Sequence, residues 1–158
     1  MKTDPTTHRY VEWLSAEEMH LHSKEWFSNL VFIKDEQLFL NRLIESFAIK
    51  PLDKKEVGRL MDFKKALAES QHRSDSLYKQ VQKHINQLEI MIDDVNQLEM
   101  ERAYRSTHSE LLIKVNKYLQ DYRTVKDRGF VKLKTILKKE KSKKALGGPD
   151  YKVSVPKS

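Results

Sequence analysis

The stretch Ala16-Glu-Glu-Met-His-Leu-His-Ser-Lys-Glu-Trp26 places three glutamates and two histidines within eleven residues. Carboxylates and imidazoles are the ligands of zinc and of non-haem iron. Glu17 and His20 have the i,i+3 spacing that puts both on one helix face. Di-metal carboxylate bundles use that pair from each of two helices, with a further glutamate from each of two others. A second such pair is Glu69 with His72. If the chain turns back near residue 51, His20 lies level with about residue 83 and His72 with about residue 31. That offset is roughly 16 Å along a helix axis, so the two pairs do not combine. The same register places His84 level with His20 and His22. The two histidines of His-Leu-His point about 200° apart around a helix, and His22 shares a flank with Glu18. Glu18, His22 and His84 are therefore the candidate zinc ligands. The competing reading is that these histidines flank a core and hydrogen-bond outward, and the sequence favours it. No cofactor is expected.

Long helices must position these groups. Ser15 with Glu18, and Asp53 with Glu56, have the capping-box spacing that opens a helix. Met19, Trp26, Ile33, Leu40 and Phe47 recur every seven residues, interleaved with Ala16, Ser23, Leu30, Gln37 and Ile44. That is the seam of a helix packed nearly parallel to its neighbours, over about 15–49, and Pro51 stops it. Leu60, Leu67, Ser74, Val81, Leu88 and Val95 hold a second register. The polar run 69–76 interrupts it, as a weak point or a polar layer. Thr107 with Glu110 suggests a third cap, so a bend is expected near 102–107. One unbroken helix over 53–128 is the alternative, about 110 Å long. Leu112, Val115, Leu119, Tyr122 and Val125 form the next stripe, and Gly129 ends or kinks it.

The fold class is thus all-α: an antiparallel bundle of three long helices, completed in one version by dimerisation. It comprises an N-terminal extension (1–14), the bundle (15–128), a basic amphipathic helical extension (129–146) and a flexible tail (147–158). Only 4 Gly and 4 Pro occur in 158 residues, too few for the turns a β-rich fold needs. No cysteine is present, which excludes disulfides and thiolate chemistry. The N-terminus lacks the apolar core of a secretory leader. The longest apolar run, Leu30–Ile33, is far short of the about 20 residues that span a membrane. A cytoplasmic protein without a transmembrane segment is expected. Phosphate-binding loops, nucleophile elbows, zinc-protease motifs and EF-hand loops are missing, so an enzyme is not expected.

Charge is uneven. Residues 123–158 hold 12 Lys and Arg against 3 Asp and Glu, while the first 122 hold 18 against 20. Lys132, Lys134, Lys138, Lys139, Lys141, Lys143 and Lys144 form a candidate polyanion-binding segment, for nucleic-acid phosphates or an anionic membrane surface. A solvated helix end, where cations suit the dipole, is the plainer reading. Lysine dominates there, and base readout leans on arginine, so sequence-specific DNA binding is disfavoured.

Helix 1 carries more apolar surface than one core face requires. Phe32 and Phe39, with Val31 and Leu38, fall opposite the seam and are the candidate interface. The expected function is that of a non-enzymatic coiled-coil-like interaction or scaffold protein, as a homodimer or with another helical protein. A nucleic-acid-associated helical protein and a metal-binding bundle are the alternatives.

Overall fold

The computed structural model describes residues 14–93 and 98–145. They form three long helices, α1 (Ala16–Ala48), α2 (Lys54–Asp93) and α3 (Leu98–Ala145), packed into a three-helix bundle. Cross-helix contacts give the directions. His20 meets Glu89 and Gln37 meets Ser70, so α1 and α2 are antiparallel. Ser70 meets Tyr118 and His84 meets His108, so α2 and α3 are antiparallel as well. Consequently α1 and α3 run parallel: Glu36 pairs with Lys126, and Lys50 with Glu140.

The helix starts follow the sequence signals. Ser15 Oγ accepts the Glu18 amide at 3.2 Å. Asp53 Oδ1 accepts the Glu56 amide at 2.8 Å, while Glu56 Oε1 accepts the Asp53 amide at 3.1 Å. This reciprocal box satisfies two amides that the first turn of α2 would otherwise leave unpaired. The heptad seam of α1 is buried from Ala16 to Phe47. It packs against Leu60, Phe63, Leu67, Val81 and Leu88 of α2, and Leu111, Val115 and Tyr118 of α3, all of them buried. Each such side chain stabilises the fold by about 1.5–3 kcal/mol relative to exposure.

Several expectations need correction, three of them in helix bounds and register. The bend expected at 102–107 is absent, because α3 is continuous from Leu98. Thr107 is not a cap: its hydroxyl donates to the Ala103 carbonyl at 3.2 Å, the i−4 bond open to a threonine inside a helix. The long unbroken alternative also fails, since α2 and α3 fold back on one another; residues 94–97, between them, lie outside the described residues. The α1–α2 register is the third correction. His20 meets Glu89 at 3.1 Å, about six residues beyond the expected level. The 49–53 connection lets the first turns of α2 overhang the end of α1, so a symmetric hairpin about residue 51 misplaces the level.

The helix also runs through Gly129 without a break, and Leu133 and Ile136 are buried in the same core as Tyr122. The expected end of the bundle is at 128. In the structure the first two turns beyond it belong to that core. The expected tail (147–158) and most of the N-terminal extension lie outside the described residues.

The polar run in α2 is a layer. Gln37, Ser70, Ser74 and Tyr118 are all buried. Gln37 Nε2 donates to the Tyr118 hydroxyl at 3.1 Å and to Ser70 Oγ at 3.4 Å. Ser74 Oγ shares its proton between the Gln71 carbonyl at 2.9 Å and Gln37 Oε1 at 3.4 Å, and Tyr118 donates to the Ser70 carbonyl at 3.1 Å.

The two helical glycines differ in their surroundings. A Cβ at Gly58 meets nothing within 4 Å, whereas a Cβ at Gly129 overlaps the Phe63 ring. Glycine costs about 1 kcal/mol relative to alanine inside a helix. Gly58→Ala is therefore expected to stabilise by up to about 1 kcal/mol. Gly129→Ala is expected to destabilise by about 1–3 kcal/mol through overpacking, with partial recovery when Phe63→Leu is added. Urea denaturation measures both; stabilisation by Gly129→Ala is the result that contradicts the packing.

Candidate functional site

The histidines gather around His108 of α3. His84 and His108 are 1% and 0% exposed. His84 Nε2 and His108 Nδ1 share a hydrogen bond of 2.9 Å. Trp26 of α1 stacks on His108 with ring centroids 4.5 Å apart, and His22 stacks more loosely at 6.2 Å. The cluster thus joins all three helices. Only one proton fits in the shared bond, so one ring donates and the other accepts. The outer nitrogens, His84 Nδ1 and His108 Nε2, are buried and find no partner among the described residues. Whichever ring donates, the other carries its N–H on its outer nitrogen. One buried N–H is therefore unsatisfied in either tautomer, at a cost of about 1–3 kcal/mol.

This is not the arrangement expected for zinc. Glu18 is exposed and sits over Ser15, its Oε1 3.4 Å from the hydroxyl. His84 faces His108 rather than His22 and Glu18. A stacked ring such as His22 presents its π-face, not a nitrogen lone pair, to its neighbour. Among the described residues no group of three or more His, Cys, Asp or Glu is arranged to hold a metal ion. The Glu17–His20 pair is also split: His20 turns to Glu89 of α2, and Glu17 is exposed.

A cap at Thr107 would put His108 in the solvated first turn of a helix, whereas the continuous α3 makes it a core position. The signal was present: His108, Val115, Tyr122, Gly129 and Ile136 recur every seven residues along the buried face of α3.

Burial holds both imidazoles neutral. Desolvation lowers His84 to about 4. Desolvation first, then the charges of His84 and His22, lowers His108 to about 3. A second polar cluster lies further along the α1–α3 seam. Tyr122 donates to Glu36 Oε1 at 2.7 Å, and Lys126 pairs with the same oxygen at 2.9 Å. Burial, then the bond to Glu36, holds the Tyr122 phenol well above its usual range. For Glu36, burial pushes upward, but the bonds from Tyr122 and Lys126 outweigh it and hold the carboxyl below its ordinary value.

The basic segment is partly committed to the fold. Lys139 pairs with Asp53 at 3.3 Å, and Glu140 with Lys50 at 3.2 Å. Lys134, Lys138 and Lys141 line a surface groove of about 510 Å³ together with Lys50, Leu137 and Glu140. Lys132 is half-buried and Lys143 exposed; the side chain of Lys144 lies outside the described residues. On α1, Phe32 and Phe39 are 64% and 62% exposed, Leu38 50% and Val31 38%. Among the described residues no helix is long and apolar enough to cross a membrane.

Comparison with protein-family models, curated proteins and solved structures finds no match to this chain.

Acid should expose the histidine pair. Both rings bind protons more weakly folded than unfolded, where the ordinary value is near 6.5. Stability is therefore intact above that value and falls as pH drops toward about 4. Between pH 7 and pH 5 the expected loss is about 1–2 kcal/mol per histidine. Thermal unfolding of wild type and of His84→Gln/His108→Gln measures it. The double variant should lose less on acidification, and identical pH slopes for the two proteins contradict the assignment.

Proposed function

We propose that this protein is a non-enzymatic helical interaction protein that associates with itself through the outer face of α1. One observation carries the reading. Phe32 and Phe39 lie one heptad apart with most of their surface in solvent, on a helix whose other side already fills the core. Exposing each phenylalanine costs about 1.5–3 kcal/mol relative to burial. Contiguous apolar surface of this kind marks interaction sites. A second copy offers the same face without any further component, and twofold dimers are the commonest soluble assemblies.

Light scattering after size exclusion tests this. Wild type is expected to be dimeric at micromolar concentration. Phe32→Glu/Phe39→Glu is expected to be monomeric with its helical circular dichroism unchanged, since both side chains lie outside the core. A wild type that stays monomeric at high micromolar concentration overturns the reading.

A second reading is favoured by the lysine-lined groove at the end of α3: non-specific binding of nucleic-acid phosphates. It is expected to give weak association with mixed-sequence DNA that falls steeply with salt. Lys134→Gln/Lys138→Gln/Lys141→Gln should abolish that association and leave the fold intact. Lys139 is spared because it holds Asp53. Equal binding by both proteins overturns the assignment.

A further inference from the structure

We infer that the surface meeting Phe32 and Phe39 is the basic face of α3 in a second copy, reciprocated about a twofold axis parallel to the helices. This rests on the self-association reading and specifies its partner surface.

The first support is placement. Phe32 and Phe39 stand at i−4 and i+3 from Glu36, which reaches Tyr122 and Lys126 of α3. They therefore lie on the α3 side of α1. On α3, Phe130 stands four residues after Lys126, and Leu137 three before Glu140, the partner of Lys50. They lie on the α1 side of α3. Phe130 is 38% exposed and Leu137 46%. The two helices thus present one continuous surface on either side of their shared seam.

The second support is charge. From Ala16 to Ala48, α1 holds 3 Lys and Arg against 6 Asp and Glu. From Arg123 to Ala145, α3 holds 10 against 2. At matching heights, residues 35–49 along α1 hold 1 Arg against 3 Asp and Glu while residues 123–137 of α3 hold 5 Lys and Arg against 1 Asp, so the two helices are opposite in charge and each is like its own copy.

The third support is register. Glu36 pairs with Tyr122 and Lys126, and Lys50 with Glu140, so residue n of α1 is level with about residue n+88 of α3. Asp35 is then level with Arg123, and Ile49 with Leu137. Phe39 is level with about residue 127, within one turn of Phe130. Asp35, Arg123 and Ile49 are all exposed. An axis parallel to the helices preserves height and stacks α1 on the partner's α3. Opposite charges then meet opposite charges, and apolar side chains meet apolar ones. An axis perpendicular to the helices, centred between Phe32 and Phe39, stacks α1 on α1 and α3 on α3. It brings Asp35 against its own copy, and Arg123 likewise. Like charges juxtaposed in an interface oppose association.

The area is sufficient. From Glu25 to Ile49 the strip is about 36 Å long. Two helices abreast are about 20 Å wide. The footprint of about 700 Å² approaches the roughly 800 Å² per partner of a stable complex.

The test uses Asp35→Arg and Arg123→Asp, both at exposed positions, with native mass spectrometry and light scattering on the full chain. Each variant alone places like charges in both contacts, and its dimer is expected to weaken at least tenfold. An equimolar mixture restores both contacts, so heterodimer is expected to form at near wild-type affinity. Dimers unaffected by either single change, or weakened dimers that mixing does not rescue, overturn the α1-on-α3 arrangement. In both cases loss of dimer in Phe32→Glu/Phe39→Glu still supports the self-association reading. A monomeric wild type removes both, and places the surface with a partner other than this chain.

Discussion

A single buried amide sets the height at which the three helices meet. Gln37 gives both its N–H groups, to Tyr118 and Ser70, and accepts from Ser74. Ser70 and Tyr118 close the network at 3.0 Å. Sliding α1 by one heptad would bring Leu30 or Ile44 to this layer. The Gln37 amide would then leave its partners and be buried without them, at about 1–3 kcal/mol for each unsatisfied group, while Ser70 and Tyr118 would keep only each other and Ser74 only the Gln71 carbonyl of its own helix. Leucine at position 37 would fill the same seam without naming a register. A polar residue in a heptad seam trades stability for a defined alignment, and here that alignment involves all three helices at once.

Everything else takes its height from that layer. About three turns along α1, the same alignment brings Trp26 onto His108 and His84 against His108. Next to Gln37 itself, it brings Glu36 to Tyr122 and Lys126 of α3. The α1–α3 boundary is thus filled by rings: Trp26, His108, Tyr118 and Tyr122. Large rings hold the two backbones apart, and α1 and α3 approach each other less closely than either approaches α2. The bundle is therefore tight along α2 and open along the α1–α3 seam, where exposed phenylalanines and uncommitted lysines lie. The buried histidines are a consequence of the same filling. An imidazole occupies the volume of a medium apolar side chain, but its second nitrogen needs a partner that neither helix supplies.

The seam also explains why the basic end of α3 is more than a solvated helix terminus. Leu133 and Ile136 anchor that end in the core, and Lys139 and Glu140 tie it to Asp53 and Lys50. Anchoring fixes which lysines point outward. Lys134, Lys138 and Lys141 share one groove because they recur at i, i+4 and i+7 on a helix that cannot rotate.

Periodicity and capping chemistry are local, and the sequence by itself determined what depends on them: the all-α class, the start of α1 at Ser15 and of α2 at Asp53, the stop before Pro51, and the seam of α1. The outward position of Phe32 and Phe39 was legible for the same reason, since a heptad position fixes a face. What failed was non-local. Thr107-His-Ser-Glu110 has the spacing of a cap, and only the packing of α3 against α2 made it the interior of a helix and sent His108 into the core. Levels across the first hairpin depended on how far α2 overhangs α1, which no spacing within either helix encodes. The metal reading of Glu18, His22 and His84 rested on that level. His84 met His108 instead because the tertiary structure, through the Gln37 layer, chose which turns of three separate helices stand side by side.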